Sequence, residues 1–300
     1  MKILITGGTG MIGQALIRTL ANENWTVLSR AKRDIKLQFP NIDVKQITSL
    51  DALPNCDEFD AVINLAGEPI ADKRWNEPQK RLIRDSRLAL TQKLVDKISA
   101  GSNPPAVFIS GSAIGYYGSQ PNIELSENAQ PATPKGFSSQ LCVDWESIAN
   151  QAQNDTTRVA TIRTGIVLDR HAGALKKMLL PYQLGLGGPI GSGEQQWSWI
   201  HLEDEIAAIA FVLTHPVSGA FNLTAPNPVS NREFSHTLAK SLSRPHFLFT
   251  PKFAIKALMG ESAELLLDDC KAMPKHLIDV GFEFRYPSLQ QALDAILHKG

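Results

Sequence analysis

ILITGGTGMIGQAL, residues 3–16, joins a short apolar run to a helical pattern through a cluster of glycines. KILIT, bounded by glycines, reads as a buried strand. Beyond the turn, Ile12, Leu16, Ile17 and Leu20 fall on one helical face. Gly7, Gly10 and Gly13, with Gly8 between them, satisfy both GxxGxxG and GxGxxG. Alone the pattern is weak, but between a strand and a helix it marks a dinucleotide loop. Glycine closes the turn and lets the backbone approach a pyrophosphate. The helix N-terminus offers that phosphate free N–H groups and a partial positive charge.

Outward from this loop, strand and helix patterns alternate. WTVLSR (25–30), VKQI (44–47), DAVINLAG (60–67), PAVFISGS (105–112) and RVATIRTG (158–165) read as strands, and 78–99 and 138–151 as helices. Alternation of this kind predicts an α/β fold with a doubly wound parallel sheet covered on both faces. After Gly165 the pattern changes. A helix from Ala174 runs into a glycine-rich loop over 185–193, read as a lid, and short helices are then split by Pro245, Pro251, Pro274 and Pro287. The expected division is a dinucleotide-binding domain over 1–170, with a return segment at 203–225. A smaller, mainly helical substrate lobe takes 171–202 and 226–300.

Formal net charge is zero, with 30 basic and 30 acidic residues, so a small-molecule partner is favoured over nucleic acid or membrane. Three scattered cysteines and seven histidines lack metal-ligand spacing, and no metal is expected. The odd thiol count points to a reducing compartment. MKILITGG is too short an apolar run for a signal peptide and no run reaches the length of a span, so a cytoplasmic protein is expected.

The end of the second strand selects the dinucleotide. An NAD site commonly places Asp or Glu there, whereas an Arg accommodates a 2′-phosphate. Here the residues are Ser29 and Arg30, followed by Lys32 and Arg33, with no carboxylate before Asp34. A hydroxyl and a guanidinium suit a phosphomonoester, which favours NADP(H).

TGGTGMIG at 6–13, NLAG at 64–67, SGSAIGYYG at 110–118 and WIHLEDE at 199–205 resemble the extended short-chain dehydrogenase/reductase superfamily. GEPIADKRW, SRLALTQKLV, the segment 178–201, NLTAPNPVSNREF and GFEFRYPSLQQAL make the chain similar to its atypical "epimerase family protein" branch, over nearly the whole length. The resemblance implies a Rossmann domain that binds NADP(H) and a nucleoside-diphosphate-sugar epimerase label. A cell-division inhibitor label is sometimes attached to the branch, and nothing else in the sequence supports it. By position, Gly7, Thr9, Gly10, Met11, Ile12 and Gly13 would cradle the pyrophosphate. Ser29 and Arg30 would meet the ribose phosphate, and Leu65, Ala66 and Gly67 the adenine and ribose side. Ser110 joins the cofactor set by position, as does Arg87, for which an exposed helix arginine is an equal alternative. Homodimers built on the long helices are common in the superfamily.

The same resemblance exposes a gap. The superfamily's Tyr acts as acid/base and its Lys, four residues on, tunes the Tyr while a Ser orients substrate. Ser112 matches the Ser, but the other two positions fall on Phe137 and Leu141, and no YxxxK occurs in the chain. Tyr116, Tyr117 and Glu68 are the substitute proton carriers considered. His201 is read as a structural hinge residue. Trp197 and Trp199 are read as walls of a cleft or packing of the lobe. Three functions remain: an NADP(H)-dependent oxidoreductase or epimerase with an unusual donor, a hydride-transfer enzyme drawing its proton from water or substrate, or a non-catalytic NADP(H)-binding redox sensor. The substrate would be a nucleotide-sugar or another carbonyl compound.

Overall fold

The computed structural model describes residues 1–30 and 35–298. In chain order the elements are β1 (Lys2–Thr6), α1 (Met11–Thr19), β2 (Asn24–Leu28), β3 (Val44–Ile47), β4 (Ala61–Asn64), α2 (Glu77–Ser99), β5 (Val107–Ala113), β6 (Glu124–Leu125), α3 (Phe137–Ala149), β7 (Arg158–Thr164), β8 (Ile166–Leu168) and α4 (Gly173–Gln183). There follow β9 (Gln196–Trp197), β10 (Trp199–His201), α5 (Leu202–Thr214), β11 (Gly219–Leu223), β12 (Val229–Ser230), α6 (Asn231–Ser241), α7 (Lys252–Met259), α8 (Glu264–Leu267), β13 (Lys271–Ala272), α9 (Lys275–Asp279) and α10 (Leu289–His298).

Seven strands form one parallel sheet in the order β11-β7-β5-β4-β1-β2-β3. The order reverses between β1 and β4, which opens a crevice at their C-terminal ends. Alternate strand residues serve opposite faces. Ile3 and Ile5 pack in one apolar cluster with Leu16, Ile17 and Ile209, while Leu4, Val62 and Phe108 pack in another with Leu94 and Ile98. Burial on both faces explains why these strands read as unbroken apolar runs. β11 returns to the sheet edge beside β7.

A third cluster joins Leu175 and Leu179 of α4 to Trp199, Phe234 and Leu238 of α6, and Leu293 of α10. Around it lie two-residue ladders, β9 with β12 and β6 with β13, and the three-residue β8–β10 pair. These are too short to leave an alternating signature in a sequence. Asp204 anchors this region by accepting N–H bonds from Arg285 and Tyr286, both at 2.9 Å. His201 caps α5 by accepting from the Glu203 N–H at 3.0 Å, a structural task.

Loop 185–193 is not a free lid. Thr250 N–H donates to Pro189 O and Gly191 N–H to Thr250 O, both at 2.8 Å, and Ile190 N–H donates to Asn231 Oδ1 at 2.7 Å. Gly185, Gly188 and Gly191 pack against residues 245–252, while Gly187 meets Tyr182 and Gly193 meets Arg232. Among the described residues, no helix is long and apolar enough to cross a membrane. None of the three cysteines is disulfide-bonded, and all three are buried.

Candidate functional site

The turn after β1 is built by close backbone approach. Gly7 has φ of +71°, and a Cβ there would lie 2.6 Å from the Leu65 carbonyl carbon. At Gly13 a Cβ would fall 2.4 Å from Gly7 O. Only glycine fits either position. Gly10 N–H donates to Gly7 O at 2.9 Å, and no side chain caps α1. Its first turn holds no acid. The helix end therefore presents an open, glycine-walled N–H cradle suited to a pyrophosphate. Thr9 is exposed at its lip, and Met11 and Ile12 are half-buried in the first turn.

At the end of β2, Ser29 is buried, with its N–H bonded to Ile47 O at 3.0 Å, and Arg30 is exposed. Lys32 and Arg33 lie outside the described residues. Leu65 and Ala66 continue β4, and Ala66 N–H is held by Thr6 Oγ1 at 3.2 Å. The Arg87 guanidinium lies against Gly67, where a Cβ would be 2.6 Å from Cζ. It donates to Glu68 O at 3.0 Å and Ile83 O at 3.2 Å and lies 5.4 Å from the Trp145 ring centroid. Burial lowers its pKa from the usual arginine value. Arg87 is thus half-buried, with its guanidinium held by backbone carbonyls beside Gly67.

Beneath the crevice runs a polar column. Thr6 Oγ1 donates to Asn64 Oδ1 at 2.7 Å, and Asn64 Nδ2 donates to Thr91 Oγ1 at 2.8 Å. Thr91 also accepts from Trp145 Nε1 and donates to Arg87 O, so its hydroxyl is fully used. Ser110 is fully buried, its Oγ within 3.5 Å of Asn64 Nδ2 and 3.4 Å of Gly111 O. Its side chain joins this column.

The Ser112 end of β5 differs most from the expected chemistry. Ser112 Oγ donates to Glu146 Oε1 at 2.6 Å. Arg163 grips that carboxylate in a fork, Nε to Oε1 and Nη2 to Oε2, both at 2.8 Å. Arg163 Nη1 also donates to Tyr117 Oη at 2.9 Å, and Tyr117 Oη donates to Asn222 Oδ1 at 2.7 Å. The Tyr116 ring lies under the guanidinium at 3.5 Å. Tyr117 is fully buried, and burial pushes its phenol up to about 12 despite the Arg163 cation. As a candidate acid it is enclosed and committed. The partner cation that the sequence did not reveal is Arg163, 46 residues away along the chain and brought close by the β5–β7 pairing.

Phe137 and Leu141 belong to an apolar cluster with Trp75 and Ile83. The Phe137 and Trp75 rings meet edge to face at 5.0 Å. The usual Tyr and Lys positions therefore brace α3 against α2. Phe137→Tyr alone is expected to leave the rate of NADPH oxidation unchanged, because Leu141 supplies no cation. A tenfold rise in turnover would refute that.

Glu68 Oε1, a further candidate base, accepts from Lys73 at 3.4 Å and Gln79 at 3.5 Å. A different pair of carboxylates faces the space beyond Ser112. A cleft of about 90 Å³ is lined by Ile114 and Gly115 after β5, Ser138 of α3, Trp197, Glu264 and Asp268. Glu264 Oε1 accepts from both the N–H and Oγ of Ser138, at 3.1 and 2.6 Å, which caps α3 from a distant segment. Asp268 lies one turn further along. Burial and the neighbouring Glu264 push its carboxyl up to about 6, against the opposing pull of Lys252. No spacing rule in the sequence pointed to this pair, which the fold alone brings opposite Ser138. Trp197 does wall the cleft, whereas Trp199 is fully buried in the core. Among the described residues, no group of three or more His, Cys, Asp or Glu could hold a metal ion.

The model of the NAD dependent epimerase/dehydratase family matches residues 3–224, and a domain of unknown function, DUF1731, matches 250–296. An Arabidopsis thaliana protein described as a chloroplastic homologue of epimerase family protein SDR39U1 is 40% identical over 305 residues, covering 99% of this chain and 87% of that one. An epimerase family protein of Staphylococcus epidermidis is 36% identical over 298 residues, covering 99% of both. Among solved structures, human epimerase family protein SDR39U1 with NADPH superposes with a TM-score of 0.90 at 35% identity over all of both chains. A nucleoside-diphosphate sugar epimerase from Corynebacterium glutamicum gives 0.77 at 27% identity, covering 99% of this chain and 58% of that one.

Proposed function

From the chain's membership of the NAD dependent epimerase/dehydratase family, in its epimerase family protein branch, we propose an NADPH-dependent reductase of small carbonyl compounds whose proton comes from Asp268. The observation that carries this reading is the glycine cradle at α1 together with a titratable carboxyl facing the adjoining cleft. Support for the cofactor comes from the human relative solved with NADPH. Bound NADPH would supply a hydride to the carbonyl carbon. The backbone N–H groups at Met11, Ile12 and Gly13 would hold the pyrophosphate, and Arg30 the 2′-phosphate. Leu65, Ala66 and Gly67 would flank the adenosine side, with Arg87 and Ser110 bracing that surface from behind.

Behind the cleft, Ser112 donates its hydroxyl hydrogen bond to Glu146 and is buried. Asp268 would deliver its proton to the carbonyl oxygen as the hydride arrives at carbon, leaving an alcohol and the Asp268 carboxylate. Water then returns the proton. A non-catalytic NADP(H)-binding reading draws on one observation, the commitment of Ser112 to Glu146. The free-facing carboxyl of Asp268 favours the enzyme.

Two results test this. Arg30→Asp should invert the calorimetric preference for NADPH over NADH, because it sets a carboxylate against the 2′-phosphate. Unchanged relative affinities would remove Arg30 from the site. With pooled aldehydes and ketones, NADPH oxidation should slow about tenfold per pH unit above about 6, as Asp268 loses its proton. Asp268→Asn should lower the rate roughly 10²-fold or more and flatten that profile while NADPH affinity stays the same. A full rate in the variant would sink the assignment.

A further inference from the structure

Segments 173–193 and 240–259 meet where residues 185–191 pack on 245–252, joined by the bonds of Thr250 to Pro189 and Gly191 and by the Ile190–Thr250 bridge. Of the thirteen large apolar side chains exposed among the described residues, eight lie in these two segments. The apolar surface is therefore concentrated rather than scattered. Leu180 and Leu184 stand on successive turns at the end of α4, Phe247 and Phe249 on the loop before α7, and Phe253 and Leu258 on α7. Phe247 is 77% and Phe253 75% exposed. Side chains this exposed protrude and form no groove that would seat a helix or strand.

Charge is the independent observation. The whole chain balances 30 basic against 30 acidic residues, yet neither segment contains an Asp or Glu. They carry Lys176, Lys177, Lys240, Arg244, Lys252 and Lys256. Lys177 is neutralised by Asp72 at 2.6 Å, and the other five are exposed. The acids that border the segments are engaged, Glu194 with Arg232 and Glu261 with Lys80.

We propose that this face docks on an anionic lipid surface, with the Phe and Leu side chains entering the acyl boundary and the Lys and Arg groups meeting the headgroups. A second copy is the poorer occupant. A two-fold contact would set the patch against itself, cation against cation. Lys252 and Lys256 form one side of the outer opening beside the cleft, whose other side carries Glu261, Glu264 and Asp268, so docking through the lysines would set that opening at the edge of the bilayer contact.

Vesicle flotation of the full chain tests the proposal, with phosphatidylcholine vesicles compared against phosphatidylcholine containing phosphatidylserine. The protein should float with the anionic vesicles and not with phosphatidylcholine alone, and raised salt should weaken the association. Lys252→Glu and Arg244→Glu should each lower partitioning roughly five-fold or more. Phe249→Trp should show a blue shift in emission when anionic vesicles are added. Unchanged thermal unfolding and NADPH affinity would show that the variants stay folded. Absence of flotation with anionic vesicles, equal flotation with both compositions, or flotation that survives Phe253→Ser with Lys252→Glu overturns the proposal. So does a dimer in sedimentation that Phe253→Ser dissociates while flotation is absent, which assigns the face to a second copy.

Discussion

Arg163→Met is expected to destabilise the protein by roughly 3–5 kcal/mol, because it strands Glu146 as an unpaired charge away from water. Both side chains of the pair are under a tenth exposed. Arg163 makes the two-bond fork to Glu146, donates to Tyr117 Oη and Glu127 O, and covers the Tyr116 ring. The methionine fills the space but satisfies none of these groups. Arg163→Met combined with Glu146→Leu should recover most of the loss, since an apolar pair of similar volume removes the stranded charge. Urea unfolding of the two variants measures this. A loss below about 1 kcal/mol in the single variant, or no recovery in the double, would show that the ion pair is not what holds these elements together. The network links β5 through Ser112, α3 through Glu146, β7 through Arg163 and β11 through Asn222. It stiffens the floor from which the cleft opens.

The second large effect concerns pH. Glu205 is fully buried on α5, where Oε1 accepts from Thr164 Oγ1 at 2.9 Å and Oε2 has no hydrogen-bond partner among the described residues. Burial pushes its carboxyl from 4.5 up to about 8, against the smaller opposing effect of the Thr164 bond. Between those values the folded state holds a proton that the unfolded chain has released. Stability from this group is thus complete below 4.5 and is lost as pH rises to about 8, a difference on the order of 4–5 kcal/mol. Glu205→Gln should abolish that contribution, so the wild type should lose more thermal stability than the variant between pH 5 and pH 8. Parallel melting profiles for the two proteins across this interval would contradict the burial argument.

The amino-acid sequence alone determined the nucleotide end of this protein. Gly7, Gly10 and Gly13 are local in sequence, and their requirement for bare backbone is a property of one turn. Ser29 and Arg30 follow a strand whose apolar run is equally local, and the parallel sheet follows from alternation over short windows. The same window reading assigned loop 185–193 the freedom of a lid, because glycine content reports what a backbone can do and not what it packs against. Its bonds come from Thr250 and Asn231, tens of residues away.

Only the tertiary structure decided the surroundings of Ser112 and the cleft. The absence of Tyr and Lys at Phe137 and Leu141 was legible, but what stands in their place was not. Arg163 meets Tyr117 and Glu146 through strand pairing and helix docking, and Glu264 reaches α3 from more than 120 residues away. Burial then sets which of these groups titrate. It closes Tyr117 off as an acid and raises the carboxyls of Glu205 and Asp268. Local spacing carries turns, strands and helix faces, because those depend on neighbours along the chain. Charge pairing and desolvation depend on neighbours in space, and these exist only once the chain has folded.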